Sequence, residues 1–104
     1  MAKVMITATA DADVADILDY LADEAGAFIV ARYERSFDQL YAHLALYPES
    51  CPRRPRLSPT ARLGIVSPYV VLYTYMPADD TVSIVRVIHG RRRITRKLFR
   101  EEKD

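Results

Sequence analysis

Two runs of strong β-formers, Tyr69 to Met76 (Y-V-V-L-Y-T-Y-M) and Thr81 to His89 (T-V-S-I-V-R-V-I-H), flank the short segment Pro77, Ala78, Asp79, Asp80. β-Branched and aromatic side chains suit a pleated strand, and a brief Pro/Asp connection turns the chain back, so the two runs are predicted to form an antiparallel hairpin. Counting outward from the turn sets Met76 opposite Thr81, Thr74 opposite Ser83, Leu72 opposite Val85 and Val70 opposite Val87 on one face. The other face carries Tyr75 with Val82, Tyr73 with Ile84, Val71 with Arg86 and Tyr69 with Ile88. Neither face is polar, whereas an antiparallel sheet with one solvated side alternates apolar and polar residues. Both faces need cover, and the rest of the chain must supply at least one layer.

The first half supplies it. Val14, Ile17, Leu18 and Leu21 fall at helical spacing, which predicts an amphipathic helix from Asp13, capped by Asp11 or Asp13 and stopped by Gly26. A second helix is predicted over 27–46, with Ile29, Tyr33, Phe37, Leu40, Tyr41 and Leu44 on one stripe and Pro48 setting its limit. Helices joined by two or three residues pack as an antiparallel hairpin. Lys3 to Thr7 and Leu63 to Ser67 read as further strands, the latter interrupted by Pro68. Ile94, Leu98 and Phe99 mark one stripe of a short C-terminal helix, and Glu101 to Asp104 are expected to fray.

The fold class is α+β in the order β-α-α-β-β-β, an antiparallel sheet with a helical hairpin on one face, as one domain over residues 1–104. Tyrosine rings fill a helix–sheet layer while their hydroxyls reach its rim, so the tyrosine face is expected to meet the helices. That leaves Val70, Leu72, Val85 and Val87 as a candidate partner-binding surface. Residues 48–60, with four prolines and the bases Arg53, Arg54 and Arg56, read as an extended surface loop.

The formal net charge of +1 hides a split. Residues 1–50 hold nine acids and three bases, a net of −6; residues 51–104 hold twelve bases and five acids, a net of +7. Half the residues are apolar, which excludes a disordered chain. The lone Cys51 has no ligand-spaced neighbours, and no nucleophile–base pair, Gly-rich phosphate loop or metal motif is present, so neither metal nor cofactor is expected. With no charged-then-apolar leader and no membrane-length apolar run, a reducing cytoplasm is the expected compartment. Asp16, Asp19 and Asp23 read as a solvated helix face, and His43 as structural. His89, Gly90, Arg91, Arg92 and Arg93 are read either as an anion- or macromolecule-recognising edge or as a solvated basic tail.

The element order, the first helix A-D-A-D-V-A-D-I-L-D-Y-L (residues 10–21) and the hairpin ending V-R-V-I-H-G-R-R-R (residues 85–93) together resemble the RelE/ParE toxin superfamily. The resemblance is nearest to the ParE, or plasmid-stabilisation, branch. It implies the toxin of a type II toxin–antitoxin pair, neutralised by a small antitoxin and reaching DNA only indirectly through it. In the ParE branch the implied target is DNA gyrase; in the RelE branch the implied activity is messenger RNA cleavage on the ribosome. Ribonuclease members carry an arginine after a strand tyrosine and a C-terminal tyrosine, where this chain has Val70 and Leu98 or Phe99. The resemblance thus implies a non-catalytic inhibitor, with His89, Arg91, Arg92, Arg93 and Arg96 meeting the target. Val70, Leu72, Val85, Val87, Arg53, Arg54 and Arg56 would meet the antitoxin. A ribonuclease would instead have to draw on Arg62, Arg86, His89 and Arg92, and a repurposed, non-toxic binding module is the third reading.

Overall fold

In the computed structural model, which describes residues 1–100, the chain runs β1 (Lys3–Ile6), α1 (Ala8–Ala25), α2 (Ala27–Leu46), β2 (Ala61–Val66), β3 (Tyr69–Met76), β4 (Thr81–His89) and α3 (Arg96–Arg100). The expected α+β order is observed; the expected fraying of Glu101 to Asp104 lies outside the described residues. β2, β3 and β4 are antiparallel, but β1 joins the other side of β4 in parallel, giving a mixed sheet of order β1-β4-β3-β2. A parallel neighbour needs a long crossover, and the two helices provide it.

The helices begin and end for local reasons. Thr7, read from sequence as the end of the strand, is the N-cap of α1: its hydroxyl accepts from the Ala10 N–H at 3.1 Å. Neither Asp11 nor Asp13 is the cap; the helix starts at Ala8, so Asp11 lies in its first turn and Asp13 beyond it. Gly26 alone links the helices, at φ +86°, a left-handed conformation that side-chain-bearing residues resist, and its N–H closes α1 on the Ala22 and Leu21 carbonyls. Val14, Ile17 and Leu21 of α1 and Tyr33, Phe37, Leu40 and Leu44 of α2 pack on Tyr69, Val71, Tyr73, Val82 and Ile84, so the tyrosine face does meet the helices.

The register differs from the simple count beyond Tyr73. Tyr73 faces Ile84, but Leu72 faces Arg86, Val71 faces Val87 and Val70 faces Ile88, leaving Val85 as the extra residue of a β-bulge. One inserted residue reverses every side chain that follows. Val87, expected beside Val70 and Leu72, lies in the helix-side core, and Arg86, expected beside Val71, lies across from Leu72. The second face is not open either. Ile94, Leu98 and Phe99 from the C-terminal segment and Leu57 from the proline–arginine loop pack on Leu63, Leu72, Val85 and Ile88. Of the four residues expected to form a partner-binding surface, Leu72, Val85 and Val87 are buried and Val70 is half-buried.

β1 stops at Ile6, so the β4 edge continues without a strand beside it, and side chains take over its backbone groups. The Thr7 hydroxyl donates to the Val85 carbonyl (3.2 Å), and Asp13 accepts from the Val87 N–H (3.0 Å). The same carboxylate accepts from Arg86 Nε (2.8 Å) and Nη2 (3.1 Å), while Arg86 Nη1 donates to the Leu98 carbonyl of α3 (3.2 Å). Arg86, 5% exposed, thereby joins α1, the bulge and α3. Removing one partner of a buried pair strands the other, at about 3–5 kcal/mol. Asp13→Ala is expected to lose about that much stability in chemical denaturation, and adding Arg86→Met to recover most of it. A loss below about 1 kcal/mol for Asp13→Ala, the range of an exposed pair, would refute the role given to this contact.

One buried side-chain polar atom lacks a partner among the described residues: the hydroxyl of Tyr41, a residue that lines the cavity between α1 and α2. Burial, then the charges of Asp38 and Asp11, push its pKa up to about 12. The neutral phenol is favoured in the folded state, so the unfolded chain ionises first, near the ordinary value of 10, and stability falls as pH rises from 10 towards 12. Tyr41→Phe is expected to raise stability at neutral pH by up to about 1 kcal/mol, since a buried unsatisfied hydroxyl is lost. It should also flatten the alkaline decline in thermal unfolding followed by circular dichroism. A destabilised variant with the same alkaline slope would show that the hydroxyl has a partner.

Candidate functional site

The basic residues of the second half divide into those engaged by the fold and those left to solvent. Arg62, on β2, donates Nη1 to the Glu49 carbonyl (3.1 Å) and the Cys51 carbonyl (2.8 Å), and its Nη2 lies 3.4 Å from the Glu49 carboxylate. Beside it the Tyr73 hydroxyl donates to the Pro48 carbonyl at 3.0 Å, and burial, then the neighbouring Cys51 thiol, hold that phenol above its ordinary range. These contacts fasten the start of the proline-rich loop to the helix-side face of the sheet. Further along, Arg53 Nη2 donates to the Pro59 carbonyl (3.0 Å) and Arg54 Nη1 to the Arg53 carbonyl (3.0 Å). The loop's backbone covers the start of the β2 edge, with Leu63 N–H on the Pro52 carbonyl and Arg54 N–H on the Ala61 carbonyl.

The turn after β4 is built differently. Gly90 donates its N–H to the Pro68 carbonyl at 2.8 Å, and a Cβ at that position would stand 3.0 Å from the same oxygen, so a side chain there would press on the close approach of the β2–β3 turn and the β4 exit. The His89 ring accepts the Arg91 N–H on Nδ1 (3.0 Å), and the His89 carbonyl accepts the Arg92 N–H (2.9 Å). Two hydrogen bonds thus fix the backbone from which Arg91, Arg92 and Arg93 project. All three are exposed, and among the described residues none of their side chains has a hydrogen bond or ion pair. Arg96 is different: its Nε donates to the Arg56 carbonyl at 2.7 Å and ties α3 to the loop.

The four residues considered for a ribonuclease are not brought together. Arg62 is held by loop carbonyls, Arg86 is buried on Asp13, His89 ends β4 four residues along the sheet from the level of Arg62, and Arg92 lies in the turn that follows. Four residues of strand span roughly 13 Å of backbone, and the Arg62 guanidinium is turned onto the Glu49 and Cys51 carbonyls. Of the target-binding candidates, Arg91, Arg92 and Arg93 form one exposed cluster beside His89, whereas Arg96 serves the C-terminal packing.

The antitoxin-binding candidates separate too. Arg53, Arg54 and Arg56 rim an open cavity of about 400 Å³ whose floor is Leu57, Leu63 and Ile94. Leu72 and Val85 lie deeper, under Leu98 and Phe99. The local pattern places Thr7 at the end of a strand and offers Asp13 as a cap, whereas Thr7 is the cap and Asp13 holds Arg86 and the Val87 N–H. The available signal was a lone arginine in the apolar β4 run, which needed an acid from elsewhere.

At the other end of the helix-side face three rings meet. Tyr69 stands edge-to-face with Tyr33 (centroids 5.7 Å, 82°) and with His89 (5.7 Å, 81°). Burial, then the nearby Tyr33 and Tyr20, raise the Tyr69 pKa.

A family model described as "ParE toxin of type II toxin-antitoxin system, parDE" matches residues 4–94 of the chain. Among solved structures, the chromosomal ParDE TA system from P. aeruginosa superimposes with a TM-score of 0.71 at 18% identity, covering 86% of this chain and 96% of the other. That likeness is one of fold. No curated protein matches the chain.

Proposed function

The chain belongs to the ParE family of toxins from type II toxin–antitoxin systems, and on that premise we propose that it inhibits DNA gyrase in the cytoplasm by binding, with no catalytic step of its own, until a cognate antitoxin covers it. The observation that carries this reading is the exposed Arg91-Arg92-Arg93 turn, whose backbone is held by His89 and Gly90 while its side chains have no partner among the described residues. A rigid backbone presenting three guanidinium forks suits a carboxylate- or phosphate-bearing surface. The engagement of Arg62 by loop carbonyls and of the buried Arg86 by Asp13 disfavours phosphodiester cleavage, which requires acid–base and phosphate-binding groups free to reach the substrate's phosphate together. Among the described residues no helix is long and apolar enough to cross a membrane.

The antitoxin is assigned to the opposite part of the basic half. Arg53, Arg54 and Arg56 surround the apolar floor of Leu57, Leu63 and Ile94, a combination that complements an acidic amphipathic segment. Its contacts are expected to centre there and on Val70, since Leu72 and Val85 lie under α3 and Val87 lies under the helical hairpin.

Purified free of antitoxin, the protein should block gyrase supercoiling and leave ribosome-bound message intact. Replacing Arg91, Arg92 and Arg93 with alanine should weaken that inhibition by about tenfold or more at low salt, and the difference should narrow as salt rises. Codon-linked cleavage of message with no effect on gyrase would overturn the reading. Unaltered inhibition by the triple variant would reject the turn as the contact.

A further inference from the structure

The Tyr69 ring is the floor of a cavity that the proposed function leaves unused. Its lining includes Asp16 and Tyr20 from α1, Tyr33 from α2, Pro68 from the β2–β3 turn, and Tyr69 and His89 from adjacent strands, around about 490 Å³. Tyr33 and His89 stand nearly perpendicular to Tyr69 on their respective contacts, so the rings are set as walls and floor rather than as a flat stack. Tyr20 is 61% exposed and adds a further ring at the mouth. It lies four residues after Asp16, so both side chains come from one face of α1.

The chemistry of this enclosure selects a cation. Ring faces carry negative quadrupole density, and a group of aromatic walls is the arrangement that holds organic cations. Asp16 adds a carboxylate, and no lysine or arginine is among the lining residues. The hairpin around it is acidic, with Asp19, Asp23 and Glu24 on the same helix. From these observations we infer that the Tyr20–Tyr33–Tyr69–His89 enclosure receives the guanidinium of an arginine presented by a partner polypeptide. Guanidinium is favoured over a small free cation because its plane stacks on a ring while its fork pairs with a carboxylate. The inference does not rest on the gyrase reading, since the cavity faces the acidic hairpin and the Arg91–Arg93 cluster serves an anion.

The test is a titration of the full chain with the peptide acetyl-Gly-Arg-Gly-Arg-Gly-amide, followed through the ring-proton resonances of Tyr20, Tyr33, Tyr69 and His89. Saturable shifts of these rings are expected, with binding weaker by about fivefold or more for the neutral citrulline counterpart. Tyr20→Leu keeps apolar area but removes the ring, and Asp16→Asn keeps shape but removes the charge. Both positions are exposed, so the fold should survive, and each variant should lose about fivefold in affinity. Equal binding of the citrulline peptide, or shifts confined to other acidic residues, would overturn the inference. Tetramethylammonium binding as tightly as the peptide would overturn the arginine assignment in favour of a site for free cations.

Discussion

The Asp13 carboxylate is the point on which the layers of this fold meet. It accepts the Val87 N–H where β1 no longer accompanies β4, and it holds Arg86, which reaches on to the Leu98 carbonyl. A sheet edge with unmet backbone groups inside a packed layer is costly, because a buried N–H without an acceptor forfeits its hydration. Here β1 is only four residues long, and the chain must leave the sheet early to build the helical crossover. Thr7 and Asp13 make that departure possible by serving as donor and acceptor, respectively, in place of further strand. The carboxylate and the guanidinium satisfy each other at the same time, so neither charge is stranded in the interior.

The bulge at Val85 follows from the same arrangement. Without it, Val87 and Arg86 would exchange faces, and a charged side chain would point into the helix-side core formed by Phe37, Val71 and Ile84. With it, Arg86 comes to the α3-covered side while Val87 and Tyr69 stay under the helices. The consequence reaches the end of the strand. His89 falls beside Tyr69 rather than on the opposite face, its ring becomes both a wall of the aromatic enclosure and an acceptor for the Arg91 N–H, and the following turn is held in place.

What the sequence discloses and what it hides divide along physical lines. Periodicity reveals the helices, because an apolar stripe at 3.6 residues is written in consecutive positions, and Gly26 and Pro48 punctuate it. The tyrosine side of the hairpin is legible because Tyr69 and Tyr73 alternate. The bulge is not, since nothing in V-S-I-V-R-V-I distinguishes a continuous strand from one with an inserted residue; the decision lies with Asp13, some seventy positions away. Nor does K-V-M-I say whether β1 pairs parallel or antiparallel. The cover on the second face was hidden for a similar reason: Leu98 and Phe99 were read as a helix stripe, but five residues of helix have no stability alone and take their position from the sheet they cover.

The charge split, by contrast, was visible but carried a different meaning before the contacts were known. Twelve bases against five acids in the second half suggests a broad electropositive surface. Five of those arginines instead have hydrogen bonds within the fold: Arg53, Arg54 and Arg96 on backbone carbonyls, Arg62 on carbonyls and Glu49, and Arg86 on Asp13 and the Leu98 carbonyl. A guanidinium bonded to a carbonyl keeps its charge but loses the freedom to orient its fork on a partner. Field and recognition are therefore separable here. The whole basic half contributes to the electrostatic field, whereas Arg91, Arg92 and Arg93 are exposed and keep guanidinium forks that no hydrogen bond among the described residues orients. Their number is small, but each is held on a backbone fixed by Gly90 and His89, so less conformational entropy remains to be lost when a partner arrives.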